Sequence, residues 1–114
     1  MKRGEVWLVN LDPTVGEEIK KSRPCVIVSR DALAKLPLKI VVPLTKWKPP
    51  FEQAPWHVYV EASKENGLSK TSSADTFQVR AISEERLVER LGELSSQVME
   101  SINEGLILSL GLDG

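Results

Sequence analysis

The chain is poor in the residues that build metal centres and covalent cross-links. It has one cysteine, Cys25, and one histidine, His57, in 114 residues. A single cysteine excludes an internal disulfide and fits a reducing cytoplasm. One cysteine with one histidine cannot form a transition-metal site of the usual kind, so neither metal nor cofactor is expected. No apolar run exceeds a few residues, so no transmembrane helix is predicted. The opening Met1-Lys2-Arg3-Gly4-Glu5 has no apolar stretch behind its basic residues and does not read as a signal peptide. Repeats, linkers and low-complexity stretches are also lacking.

What remains describes an ordinary globular protein, 41% hydrophobic and 27% charged. Its length suits one domain spanning 1–114, large enough to bury a core. The net charge of −1 conceals an asymmetry: residues 1–50 carry +5 and residues 51–114 carry −6. Much of the positive excess lies in Lys20-Lys21-Ser22-Arg23 and Lys46-Trp47-Lys48. Such a patch can hold a polyanion, because fields in moderate salt are set within about 10 Å. The same lysines can equally be solvated loop residues.

The first two-thirds read as short strands broken by Pro, Gly and Asn. Glu5–Leu11 alternates, then stops at Asp12-Pro13-Thr14-Val15-Gly16. Pro24–Ser29 and Leu38–Leu44 are continuous apolar runs, the pattern of strands buried on both faces. Lys46–Pro55, with three prolines, predicts a loop. Trp56–Glu61 sets Trp56, Val58 and Val60 against His57, Tyr59 and Glu61. Ser73–Ala81 reads as one strand through Phe77 and Val79. Ser83 suits the cap of a short helical turn, and Leu87–Leu94 fits either a helix or a last strand. From Ser95 or Ser96 the spacing of Val98, Met99, Ile102, Leu106 and Leu110 predicts a helix. The sum is a mainly β protein, a small, strongly bent barrel with a C-terminal α-helix.

Arg23 draws attention because it stands at the root of a buried strand, directly before Pro24, which favours an extended backbone there. A guanidinium so held is permanently charged and grips phosphate in two places, which suits phosphoryl chemistry. A salt bridge to Glu18 or Asp12 is the structural alternative. Thr45 ends the second apolar strand; its hydroxyl can donate to a phosphate oxygen or cap a turn. Glu18 can accept a proton from a ribose hydroxyl, contact a base edge, or simply hold Arg23. Asp75 can serve as an acid–base group and Gln78 can read a base edge. On one strand they would face opposite sides. Trp47 can stack on a base or close its loop onto the barrel. His57 falls on the polar side of its strand, expected to be solvated, and Cys25 reads as a core residue.

These residues resemble the MazF/PemK toxins, sequence-specific endoribonucleases of bacterial toxin–antitoxin pairs. The likeness runs through Gly4-Glu5-Val6-Trp7, Asp12-Pro13-Thr14-Val15-Gly16-Glu17-Glu18 and Ser22-Arg23-Pro24-Cys25-Val26-Ile27-Val28-Ser29. It continues in Val42-Pro43-Leu44-Thr45, Gln78-Val79-Arg80-Ala81-Ile82 and the closing helix. The resemblance implies an SH3-like barrel of the CcdB/MazF type that forms a homodimer and binds single-stranded RNA at or near the dimer interface. It implies metal-free cleavage by the ribose 2′-hydroxyl, leaving a 2′,3′-cyclic phosphate and a 5′-hydroxyl. By matching position, Arg23 and Thr45 are catalytic, Glu18 belongs to the active site or to RNA recognition, and Gln78 contacts substrate. Lys20, Lys21 and Lys46 would meet the RNA backbone, or the acidic tail of a cognate antitoxin competing for it. Phe77 stands where many members carry an acid, so it can stack on a base, and Asp75 becomes the nearest acid. The general base stays open between Glu18, Asp75 and water. The rival functions are a CcdB-like non-catalytic poison of DNA gyrase and an RNA-binding module without turnover.

Overall fold

A computed structural model describes residues 1–114. Seven strands run in the order β1 (Glu5–Asn10), β2 (Ser22–Ile27), β3 (Leu38–Lys46), β4 (His57–Val60), β5 (Ser72–Asp75), β6 (Arg80–Ser83) and β7 (Leu87–Glu93). One helix, α1 (Ser96–Leu110), closes the chain. All pairings are antiparallel, in spatial order β4-β5-β3-β2-β1-β7, with β6 added beside β3. The expected β architecture with a terminal helix is present, but the sheet does not close into a barrel. Between its ends, β7 instead meets the loop after β4, where Glu93 N donates to Glu65 O at 2.9 Å. No helix is long and apolar enough to cross a membrane.

The central strands are buried on both sides, as their unbroken apolar runs predict. Val6, Val26, Val42 and Leu44 face one cluster, which also takes Ile102 from α1. Val9, Cys25, Ile27 and Val41 face a second, smaller cluster. Burial pushes the Cys25 thiol up to about 12 against the opposing field of Arg80, so it stays protonated and inert. Ser95 caps α1 by accepting from Val98 N, and Ile102 anchors the helix in the core.

Several expectations need correction. Ser73–Ala81 is not one strand: a 3-10 turn, Thr76–Gln78, separates β5 from β6. The reason lies in β3, whose residues Leu38–Val41 pair with β6 and Leu44–Lys46 with β5. Pro43, which has no N–H to donate, stands at that changeover, and the turn fills the gap. The proline-rich Lys46–Pro55 segment begins as strand through Lys46 and then coils into a 3-10 turn, Pro49–Gln53. Leu87–Leu94 resolves as β7 over Leu87–Glu93. Trp56 and Leu110, expected on apolar faces, are exposed.

Candidate active site

The pleat assembles the site. In antiparallel pairing, directly opposite residues share a face. Thr45 on β3 lies opposite Ser73 on β5, Ser73 lies opposite Tyr59 on β4, and Asp75 lies opposite His57. Thr45, Ser73, Asp75 and His57 therefore project from one face, while Leu44, Ala74 and Val58 point from the other into the core. Arg23, on the neighbouring β2, completes the wall. Arg23, Thr45, Glu18, Asp75, Gln78 and His57 all line one cleft of about 660 Å³.

Arg23 is half-buried, with its Nε donating to Lys20 O at 3.2 Å. No carboxylate pairs with it. The loop between β1 and β2 is fixed by other bonds. Asp12 Oδ1 accepts from Lys21 N (3.1 Å) and from Thr14 Oγ1 (3.2 Å), and Glu18 Oε1 accepts from Val15 N (2.6 Å). The salt-bridge alternative for Arg23 is thus absent, and the side chain lines the cleft without an acidic partner. Four cations, Lys20, Arg23, Lys46 and Lys48, line the cleft against three carboxylates. With so small an excess, binding of a polyanion there depends on where the cations stand rather than on net charge.

The 3-10 turn brings Asp75 and Gln78 to the same cleft, which a continuous strand would have prevented. Asp75 is buried and caps the turn, its Oδ1 accepting from Phe77 N at 3.2 Å. Gln78 is already occupied: its Oε1 accepts from Ile19 N (2.6 Å) and its Nε2 donates to Glu17 O (3.2 Å). In this arrangement it clamps the loop that carries Glu18. Phe77 is 69% exposed and opens onto an adjacent cleft of about 370 Å³, lined also by Leu11, Ile19 and Pro43.

The remaining sequence candidates lie apart. Lys21 is exposed, takes a positive φ of 68° in the loop and does not line the main cleft. Trp47 is half-buried and meets Phe51 and Tyr59 edge-on, at centroid distances of 5.7 and 5.2 Å. It closes its loop onto the sheet, behind Phe51 rather than in the cleft.

Phe51 and His57 also line the cleft, with no site role expected from the sequence, and Lys48 joins them from the basic Lys46-Trp47-Lys48 patch. The alternation placed His57 on the correct face. The imidazole itself is half-buried, however, because the turn Pro49–Gln53 lays Phe51 flat on it at 3.8 Å and 5°, while Tyr59 on the same face stays exposed. Burial lowers the pKa of His57 from its ordinary 6.5, with Asp75 pulling the other way. Nothing in the spacing pointed to this; the signal was that the chain has only one histidine.

The chain matches, over residues 2–110, the family described as the PemK-like, MazF-like toxins of type II toxin–antitoxin systems. It is 35% identical over 112 residues to an endoribonuclease MazF of Staphylococcus saprophyticus, covering 98% of this chain and 92% of that one. It is 34% identical over 118 residues to endoribonuclease MazF9 of Mycobacterium tuberculosis, covering 98% of both. The fold superposes on MazF of Deinococcus radiodurans with a TM-score of 0.81, at 23% identity over 97% of this chain and 96% of that one. A mycobacterial endoribonuclease solved with its cognate antitoxin gives 0.77, at 23% identity over 98% of this chain and 96% of that one. With the match spanning almost the whole sequence, the protein belongs to the PemK-like, MazF-like toxin family of type II toxin–antitoxin systems.

Proposed function

We propose that this toxin is an endoribonuclease that cuts single-stranded messenger RNA in the cytoplasm without a metal. The enzyme class rests on two relatives named as endoribonucleases at 34–35% identity across nearly the full chain. A gyrase poison finds no comparable support. The observation that carries the chemistry is Arg23 and Thr45 lining one cleft, the first without an acidic partner. The ribose 2′-oxygen attacks the adjacent phosphorus, the bond to the 5′-oxygen breaks, and a 2′,3′-cyclic phosphate and a 5′-hydroxyl result. Arg23 balances the charge that accumulates on the non-bridging oxygens, and the Thr45 hydroxyl donates to one of them. Lys20, Lys46 and Lys48 hold the flanking phosphates. Phe77, exposed beside the cleft, stacks on a base. DNA lacks the attacking hydroxyl and is spared.

Incubating the purified protein with a long RNA in EDTA tests this reading. Discrete cuts are expected, each leaving a cyclic phosphate and a 5′-hydroxyl, with DNA of the same sequence intact. Cuts that disappear with EDTA would defeat the metal-free mechanism. Intact RNA together with stalled gyrase would replace the reading altogether.

Two partners complete the proposal. A cognate antitoxin, through an acidic extended segment, competes with RNA for the cations of the cleft. A second copy of the chain forms a homodimer, for which the end of α1 offers exposed Ile107, Leu108 and Leu110. Sedimentation at micromolar concentration should give twice the chain mass; a monomer would remove the dimer from this account.

A further inference from the structure

Deepening the endoribonuclease reading, on which it rests, we propose that His57 is the general base of the cleavage. Its Nε2 takes the proton of the attacking 2′-hydroxyl. The geometry leading to this is local. His57 Nδ1 lies 2.7 Å from Ser73 Oγ, and Ser73 is the residue directly opposite Thr45. The ring therefore leans over β5, one strand spacing, about 5 Å, from the strand that carries Thr45. Phe51 stacks on one face of the ring, and His57 lines the same cleft as Arg23 and Thr45.

The partner at Nδ1 suits a group that must gain and lose a proton. A hydroxyl both donates and accepts, so the contact between Ser73 and His57 survives in either tautomer and in the imidazolium. Ser73 is fully buried, and His57 is its only side-chain partner. Asp75, opposite His57 across the β4–β5 pair, is placed to stabilise the imidazolium once it forms. As the 2′-oxygen bonds to phosphorus, its proton passes to Nε2 and the bond to the 5′-oxygen breaks. The departing oxygen takes a proton from water, and the imidazolium returns its own to the hydroxide that remains.

Glu18 is a weaker choice, since its Oε1 already accepts from Val15 N, and Asp75 is turned into its own cap. Charged groups line both clefts that His57 borders. Arg23, Lys46 and Lys48 border the cleft with Glu18 and Asp75, the loop adds Glu17 and Lys20, and Glu104 of α1 lies beyond the ring. The base works as neutral imidazole, which burial favours at neutral pH.

The test is single-turnover cleavage of a short RNA containing one mapped site, made with either an oxygen or a sulfur 5′-leaving group. Sulfur leaves without a proton, so it repairs the loss of an acid but not of a base. His57→Ala should cut about 100-fold more slowly with both substrates. The wild-type rate should fall with acid, on a limb lying below the ordinary imidazole range because burial lowers the His57 pKa, and the variant should lack that limb. Ser73→Ala, which only loosens the ring, should shift the limb while retaining part of the rate. Normal speed of His57→Ala on the sulfur substrate would make His57 the acid and overturn the proposal. So would a variant within about threefold of wild type on both substrates. If His57→Ala and His57→Gln both fail to fold, the wild-type profile decides, and a rate with no acid limb down to the pH at which the protein unfolds would overturn it. Wild-type protein that leaves RNA uncut sinks the endoribonuclease reading itself; an active wild type with an equally active variant sinks only this inference.

Discussion

Arg23→Ala is expected to lower cleavage by about 10²–10³-fold while the protein melts within a few degrees of wild type. The two halves of that prediction have separate causes. The side chain makes one hydrogen bond, to Lys20 O, and no ion pair, so its removal strands no buried charge. The Asp12, Glu18 and Gln78 bonds hold the neighbouring loop independently. At the reacting phosphate nothing replaces it: Lys20, Lys46 and Lys48 are exposed on flexible stems and bring point charges, not a planar fork. Arg23→Lys separates charge from geometry and should recover only a minor part of the rate. Cleavage by Arg23→Ala at the wild-type rate, with the fold intact, would remove Arg23 from the mechanism.

Gly92→Ala should destabilise the protein by at least about 3 kcal/mol, lowering Tm by on the order of 10 °C. A Cβ at residue 92 would lie 2.2 Å from Glu65 O and 2.6 Å from Asn66 C. Both obstacles are backbone, so no rotamer change relieves the clash. This is the seam where β7 meets the loop after β4, and where Glu93 N bonds Glu65 O. The facing loop cannot retreat easily. Asn66 is buried, its Oδ1 accepting from Ser63 N and Leu68 N while its Nδ2 donates to Glu61 O. Chemical or thermal melts followed by circular dichroism measure the effect; an unchanged midpoint would mean that the seam yields freely. The open sheet is held at its margin by this contact rather than by strand pairing, which is why one methyl group matters so much there.

How much of this was legible beforehand differs by element. The unbroken runs around Val26 and Val42 announced strands covered on both faces, since an apolar side chain on either face must find a partner. The spacing of Val98, Ile102 and Leu106, with Ser95 before it, marked α1 almost to the residue. Arg23 before Pro24 was visible because the proline restricts its neighbour locally. The strand predicted through Phe77 broke because the gap is set by β3, where a proline more than thirty residues earlier ends one partnership and begins another.

Side-chain periodicity and local backbone preference act within a few residues, and those parts of the protein are written into the chain itself: strand identity, the terminal helix, the polar side of β4. Which polar side becomes a cleft depends on what lies across it. Alternation alone puts His57 toward solvent, and only the fold of Pro49–Gln53 stacks Phe51 on it and sets it in one cleft with Arg23 and Thr45. Gln78 lines that cleft as well, and only the packed loop shows its amide bonded to Ile19 and Glu17. Burial and hydrogen-bond partnership are contributed by distant segments, so they exist only once tertiary contacts form.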